Sequence, residues 1–364
     1  MTIAHVMAVV EHGKPLEAMS RDIPEPTGCQ VLVKVTYAGL CHSDLDLIQG
    51  SMHVGNGKRI PTNQRVPLCV GHEIEGIVVA VGDQVPDDYM GREYAVYPWG
   101  GCGVCSDCKA GNDNLCSSRD KREIGTGRNM WGGFSSHVMV EDFQYLVDKT
   151  GIPNGLAATL MCSGLTAFSA IKKMGPLSKE GAKDILIIGA GGLGMQCFEM
   201  IKALFGVSPM IADISQSKLE QQPLRGARIF NMTDDDIAKQ VIQASSGGTG
   251  IIGVIDFVGA SETFMLSNSV LRKGGRVAQV GLLGGVMKMP LNFFPLRALS
   301  IIGVYVGTLD ECREMFALVR KGKISPIQLD MRSIRSINDG IHDLKAGNIS
   351  GRCVFKHDWD QGKI

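Results

Sequence analysis

KDILIIGAGGLG, residues 183–194, decides the fold. Residues 184–188 are a short apolar, β-branched run of the kind that forms a fully buried strand, and they feed directly into Gly189-Ala190-Gly191-Gly192-Leu193-Gly194. Helical spacing of apolar residues follows over residues 193–204. A strand, a glycine loop and a helix in this order make a cradle for a pyrophosphate. Gly189 permits a tight turn, Gly191 lets the main chain approach the phosphates, and Gly194 lets the helix pack on the strand. Gly192 and Leu193 open the helix, whose first N–H groups and positive partial charge face the anion. A GxGxxG string alone is as often a plain turn. Here it has the required flanks, and Asp213 stands nineteen residues beyond Gly194 at the end of the next strand. A carboxylate there accepts hydrogen bonds from ribose hydroxyls and repels a 2′-phosphate, so NAD is expected rather than NADP. The plain alternative is a solvated strand-end acid. Lys218 either contacts the same ribose or is an ordinary exposed lysine.

Outward from this stretch, strand and helix patterns alternate: strand at 210–213, helix at 237–244, strand at 253–258, helix at 264–271 and strand at 276–280. Such alternation predicts a doubly wound parallel sheet covered by helices. Pro223 interrupts a helix that residue 217 would otherwise begin, so that helix should be short or kinked. Residues 156–174 carry apolar side chains at helical spacing, but before Pro153 the character differs. From residue 15 to about 143 the chain reads as short β segments, such as 31–37 and 76–81, between Gly and Pro turns. Near Pro295 the alternation weakens, and the tail closes on an apolar strand, GRCVF. The expected division is 1–153, 154–295 and 296–364, an α/β chain with a β-rich part beside the doubly wound one.

A chain of 364 residues is long enough for two domains. With 44% hydrophobic and 20% charged residues it has a globular composition. Lys+Arg and Asp+Glu both number 37, so no electrostatic bias selects nucleic acid or an anionic membrane as partner. No uninterrupted apolar stretch reaches the ~20 residues of a membrane span. The opening MTIAHVMAVVEHGKP has neither a basic leader nor a long apolar core, and a cytoplasmic protein is expected.

Of eleven cysteines, Cys102, Cys105, Cys108 and Cys116 crowd into the pattern C-x2-C-x2-C-x7-C. Closely spaced thiolates can point at one centre and complete the closed tetrahedral shell of a structural zinc; disulfides or free thiols are the alternatives. A catalytic zinc needs three protein ligands and an open position. Cys41 in GLCHSDLD, His72 in PLCVGHEIEG and Cys162 in TLMCSGLTAF are the candidates. Taken singly, each reads equally as a core cysteine or a satisfied histidine.

The strings GLCHSDLD, GHEIEG, GCGVCSDCKAGNDNLC, CSGLTAF and GAGGLG, in that order, resemble the zinc-containing medium-chain alcohol dehydrogenases. The resemblance runs nearly to the closing GRCVF. It implies a GroES-like catalytic domain, made from the N-terminal part and the tail, around a Rossmann cofactor domain, with the active site in the cleft. It implies that Cys41, His72 and Cys162 bind the catalytic zinc, with Glu73 behind as an exchanging ligand. Ser43 would hold the substrate hydroxyl and begin a proton relay through the cofactor ribose. His42 and Arg352 would lie near the pyrophosphate, and Thr166 and Val280 beside the nicotinamide. The implied reaction moves a hydride between a small-molecule alcohol or carbonyl and NAD, with two zinc ions per chain, in a homodimer or homotetramer.

Two departures stand out. Many relatives have a histidine where this chain has Asp46, the far end of the relay, and a carboxylate has a lower intrinsic pKa. The segment 51–67, with Met52, His53, Asn56, Arg59 and Asn63, is longer than in compact relatives and is expected either as a loop over the substrate mouth or as a solvated excursion. Trp99 could wall the pocket or fill the core. A dehydrogenase of hydroxyacyl thioesters would need basic residues at the rim, for which Lys58, Arg59 and Arg65 are available. A zinc-free reductase would lack the three ligands. A non-catalytic NAD-binding protein would show damage at Cys41, Ser43, His72 or the glycine loop, and none is damaged.

Overall fold

The computed structural model describes residues 1–118, 122–126, 131–221 and 224–359. Among the described residues two large sheets form, one parallel and one mainly antiparallel.

The parallel sheet has six strands in the order Arg228–Asn231, Met210–Asp213, Ile185–Ile188, Ile251–Asp256, Leu271–Gln279 and Ser300–Gly303. Sequence order reverses between Ile185–Ile188 and Ile251–Asp256, and a ligand crevice opens at the carboxyl ends of such a pair. Ile185, Leu186, Ile187 and Ile188 are fully buried, because helices cover both faces and leave no position for a polar side chain. The helix Gly192–Phe205 follows the glycine loop at once.

Three features differ from expectation. Arg228–Asn231 is an edge strand; with only Phe230 buried it has no apolar run to announce it. Ser300–Gly303, beyond the break at Pro295, is the sixth strand of the parallel sheet, so that sheet reaches past residue 295. Pro290 and Pro295 mark an excursion around the short Phe293–Arg297 helix rather than the end of the sheet. The helix expected from residue 217 is one turn, Gln216–Leu219, and Pro223 lies outside the described residues.

The second sheet has the order Leu329–Ser333, Arg352–Lys356, Val31–Gly39, Glu73–Val81, Glu93–Val96 and Leu146–Asp148, with His137–Val140 also on Val31–Gly39. The tail strand therefore returns to the N-terminal sheet, with Val354 opposite Gly39. Leu156–Thr159, the π-helical turn Leu160–Gly164 and Leu165–Lys173 form one continuous helical run that packs on Glu73–Val81.

Candidate active site

Three segments far apart in sequence meet at one point. Cys41 ends the approach from Val31–Gly39 and is the N-cap of the helix His42–Gln49. His72 and Glu73 stand at the head of Glu73–Val81, after Gly71 at φ 95°. Cys162 projects from the π-helical turn, a distortion frequent at functional sites. One ligand atom from each of Cys41, His72, Glu73 and Cys162 lies within 4.8 Å of every other, and all four residues are buried. Gly39 makes room for this: a Cβ there would stand 2.1 Å from Glu73 Oε2.

The donor set suits a zinc ion. Two sulfurs and an imidazole are its preferred ligands. Among the described residues, His72 Nε2 and Glu73 Oε2 are buried without a hydrogen-bond partner, a costly arrangement unless something else engages them. The hydrogen bond from Cys162, helped by His72 and Arg352, holds the Cys41 thiol well below its ordinary value against the effect of burial. That same bond and burial push Cys162 up. Burial, opposed by Arg352, lifts the Glu73 carboxyl to about 7. Burial would lower His72, but the neighbouring Asp44 carboxylate outweighs it and raises the imidazole.

Asp44 escaped the sequence reading. Fully buried, it lies 3.3 Å from His72 Nδ1 and accepts the Cys41 N–H at 2.9 Å and the Gly71 N–H at 3.2 Å. One carboxylate thus caps the helix and backs the imidazole, leaving Nε2 toward the sulfurs. Its one local signal was an acid three residues after the N-cap.

The glycine loop depends on the side chains it lacks. A Cβ on Gly194 would stand 1.7 Å from Gly189 O, and one on Gly192 would stand 2.5 Å from Arg352 Cδ. A Cβ on Gly191 would meet no atom of the described residues within 4 Å, so the free space beside that residue lies on the loop's open side. Arg352 Nη2 reaches Glu73 Oε1 at 2.5 Å and joins the loop to the sulfur cluster. His42 is held below its ordinary value by partial desolvation, with Arg352 and Lys218 acting in the same sense, which places three basic groups in one neighbourhood. Asp213 accepts Ala190 N–H at 2.7 Å on one oxygen and Ser215 N–H at 2.8 Å on the other; each oxygen keeps a further lone pair for a ribose hydroxyl. Leu193 sits in the first turn of the helix. Thr166 lies four residues past Cys162 on the same helical run, and Val280 follows the strand end beside Asp256, to whose carbonyl it donates at 2.9 Å.

Ser43 is half-buried in the first turn after Cys41. Asp46, three residues on, is paired with Arg59, whose Nη2 lies 3.2 Å from Oδ1. Arg59 also donates to Ser51 Oγ at 2.9 Å, so this rim cation is already engaged. The segment expected as a loop contains a hairpin, Ser51–His53 with Arg59–Pro61, turned through Asn56 at φ 51° and followed by Asn63 at φ 58°. Its tip touches the cofactor side: a Cβ on Gly55 would stand 2.5 Å from Val286 Cγ2, and one on Gly284 would stand 2.9 Å from His53 Cβ. Met52 lies in the first strand of the hairpin. Trp99 packs in the core next to His72. It is buried, its indole donates to Met161 O at 3.1 Å, and its ring lies 5.4 Å from that of His72.

The Cys102, Cys105, Cys108 and Cys116 sulfurs form the second cluster, all within 4.8 Å of one another. Separations of 3.5 and 3.9 Å match the edge of about 3.8 Å that a tetrahedron with metal–sulfur bonds of about 2.3 Å requires. Backbone N–H groups of Cys102, Cys105, Cys108 and Ser118 point at sulfurs. Such donation from Val104 and Cys105 brings Cys102 down to about 6.

Residues 27–151 match the family model for the alcohol dehydrogenase GroES-like domain, and residues 192–321 that for zinc-binding dehydrogenase. An NAD-dependent alcohol dehydrogenase of Sulfurisphaera tokodaii is 32% identical over 96% of this chain and 99% of its own length. One from Sulfolobus acidocaldarius is 33% identical over 96% and 98%. The solved structure of acetophenone reductase from Geotrichum candidum in complex with NAD is 28% identical, with a TM-score of 0.82, covering 99% of this chain and 98% of that one.

Proposed function

Because the chain belongs to the zinc-containing medium-chain alcohol dehydrogenase family, we propose that it transfers a hydride reversibly between a primary, secondary or cyclic alcohol and NAD, giving an aldehyde or ketone. The observation that carries this reading is the convergence of Cys41, His72 and Cys162, residues with no proximity in sequence, on one point beside the glycine loop. Cys41, His72 and Cys162 are the proposed ligands of a catalytic zinc, with Glu73 as the exchanging one, and the Cys102–Cys116 lobe of a second, structural zinc. When bound, zinc lowers the pKa of the alcohol hydroxyl by Lewis acidity and NAD accepts the hydride.

The protein's own groups supply position and a proton path. Ser43 Oγ takes the hydroxyl proton, and Asp46, one helical turn on, is the far end of the relay, its carboxylate oriented by Arg59. His42 and Arg352 neutralise the pyrophosphate, Asp213 and Lys218 hold the adenosine ribose, and Thr166 and Val280 border the nicotinamide. Trp99 excludes water from one side of His72. Of the three rim candidates, engagement of Arg59 by Asp46 and Ser51 leaves Lys58 and Arg65 for a thioester substrate and speaks for the plain alcohol.

A homodimer or homotetramer is supported by the edge strand Ser300–Gly303 and by exposed Leu282, Leu283, Leu291 and Leu296 on the segment that leads into it. Among the described residues no helix is long and apolar enough to cross a membrane, and a cytoplasmic location with neither nucleic acid nor membrane as partner fits the balanced charge. The test is a panel of alcohols and hydroxyacyl thioesters with purified protein and NAD, read as reduced nicotinamide, alongside zinc analysis and sedimentation. Turnover of alcohols with two zinc ions per chain is expected; absence of turnover, or a single ion, would refute the assignment.

A further inference from the structure

Glu75 and Lys149 form a buried charged pair that no step above employs. Glu75 is fully buried and Lys149 is 2% exposed, with Nζ 3.3 Å from Glu75 Oε1. Lys149 also donates to Glu93 Oε2 at 3.1 Å and to Asn154 Oδ1 at 2.9 Å. A charge taken this far from water is costly and needs several partners to persist. Glu75 has them: Oε1 accepts Gly155 N–H at 2.9 Å and Oε2 accepts Ala158 N–H at 3.0 Å.

Those two donors are the N-cap and third-residue N–H groups of the helix Leu156–Thr159, which has no capping side chain of its own because Gly155 precedes it. Capping is therefore supplied by another element, the strand Glu73–Val81. The spacing ties this cap to the sulfur cluster. Glu73 and Glu75 are two residues apart on one face of the strand, about 6.6 Å along it. Ala158 and Cys162 are four residues apart along the helical run, about 6 Å of rise. Strand and helical run thus face each other as a ladder of two rungs. Glu75 with the Gly155 and Ala158 amides is one rung, and Glu73 with Cys162 is the other.

We infer that Glu75, neutralised by Lys149, is a positioning residue that fixes the distance of Cys162 from His72 and Glu73 and so sets how firmly the site holds its metal. The inference rests on the zinc reading of that site. A carboxylate is required because both of its oxygens accept. A glutamine of the same shape accepts with one and turns an NH2 group toward an N–H with the other, whereas an aspartate is too short to reach both amides.

The test uses the full-length zinc protein and the release of zinc to a chromogenic chelator, which for the wild type should show two phases, one missing from Cys41→Ser. In Glu75→Gln and Lys149→Met that phase should quicken about tenfold, as for other residues behind a metal ligand, while release from the Cys102–Cys116 lobe stays at the wild-type rate. Glu75→Asp should fall between. In cobalt-substituted protein, the sulfur-to-metal absorption of the Cys41 and Cys162 site should shift in the same variants. Folded variants whose two phases keep wild-type rates, or quicken equally, would overturn the clamp and leave the zinc reading intact. A wild type with a single zinc pool would sink the zinc reading and the clamp with it.

Discussion

The two sulfur clusters are built from the same donor chemistry by opposite routes. Cys102, Cys105, Cys108 and Cys116 close within one loop, whose own backbone N–H groups point at the sulfurs. Cys41, His72 and Cys162 close only when a strand-to-helix junction, a strand head and a π-helical turn have docked; Asp44 ties the junction to the strand head, Glu75 ties that strand to the helical run of Cys162, and Arg352 ties the strand head to the tail strand. A local cluster costs little loop entropy and needs few outside partners. A dispersed one needs the whole fold, and in exchange it can stand open to a cleft.

The sharpest way to break this contrast is to remove one sulfur from each. Cys41→Ala should abolish measurable turnover with the folded structure retained by circular dichroism. Cys105→Ala should instead cost more than about 4 kcal/mol of stability, the range reached by loss of a metal site, as seen in denaturant titration. Full turnover in Cys41→Ala, or unchanged stability in Cys105→Ala, would erase the distinction. Asp44→Asn should weaken zinc affinity at the dispersed site by about 10–100-fold without touching the local one, measured by competition with a chelator.

A smaller effect is expected from acid. His357 Nδ1 accepts the Trp359 indole N–H at 3.0 Å, which requires that nitrogen to be unprotonated, and burial with His137 nearby pushes the imidazole down to about 3. Its folded value lies below the unfolded one, so the contribution is complete above about pH 6.5 and is lost as pH falls toward 3. The loss is at most about 1.4 kcal/mol at one unit below 6.5. His357 follows directly on the strand that carries Arg352 to Glu73, so the dispersed cluster should loosen first, and His357→Gln should flatten the pH dependence of stability. Smallest, and outside both clusters, Asp213→Gly should lower the preference for NAD over NADP by about tenfold, one lost charge–hydroxyl contact; an unchanged ratio would remove its role.

What the sequence disclosed follows the same division. The glycine loop and the cysteine quartet are local patterns whose chemistry lies within one or two turns, and both were readable from spacing. Cys41, His72 and Cys162 were individually ambiguous and became a set only through resemblance to a family. Glu75 was invisible because its partners lie on other elements and an acid in a strand gives no sign of whether it will be buried, while Asp44 showed only its place three residues after the N-cap, with Gly71 and His72 on another element. Arg228–Asn231 and the hairpin at Ser51–Pro61 were missed as strands because neither buries a continuous apolar face. The break at Pro295 was a real turn signal, but proline reports local geometry and not sheet membership.

The wide turn at Leu160–Gly164 has a consequence for sequence length. A π-turn takes about one residue more than an α-turn to come round, so deleting one residue there would restore a regular α-helix, keep the flanking turns roughly in register and remove the widened turn that carries Cys162. Cys162 would then lose the local bulge that sets where its sulfur points. Single-residue deletions across this turn should be far less tolerated than substitutions of similar size, making it a place where the spacing of the chain is under tighter constraint than most of its letters.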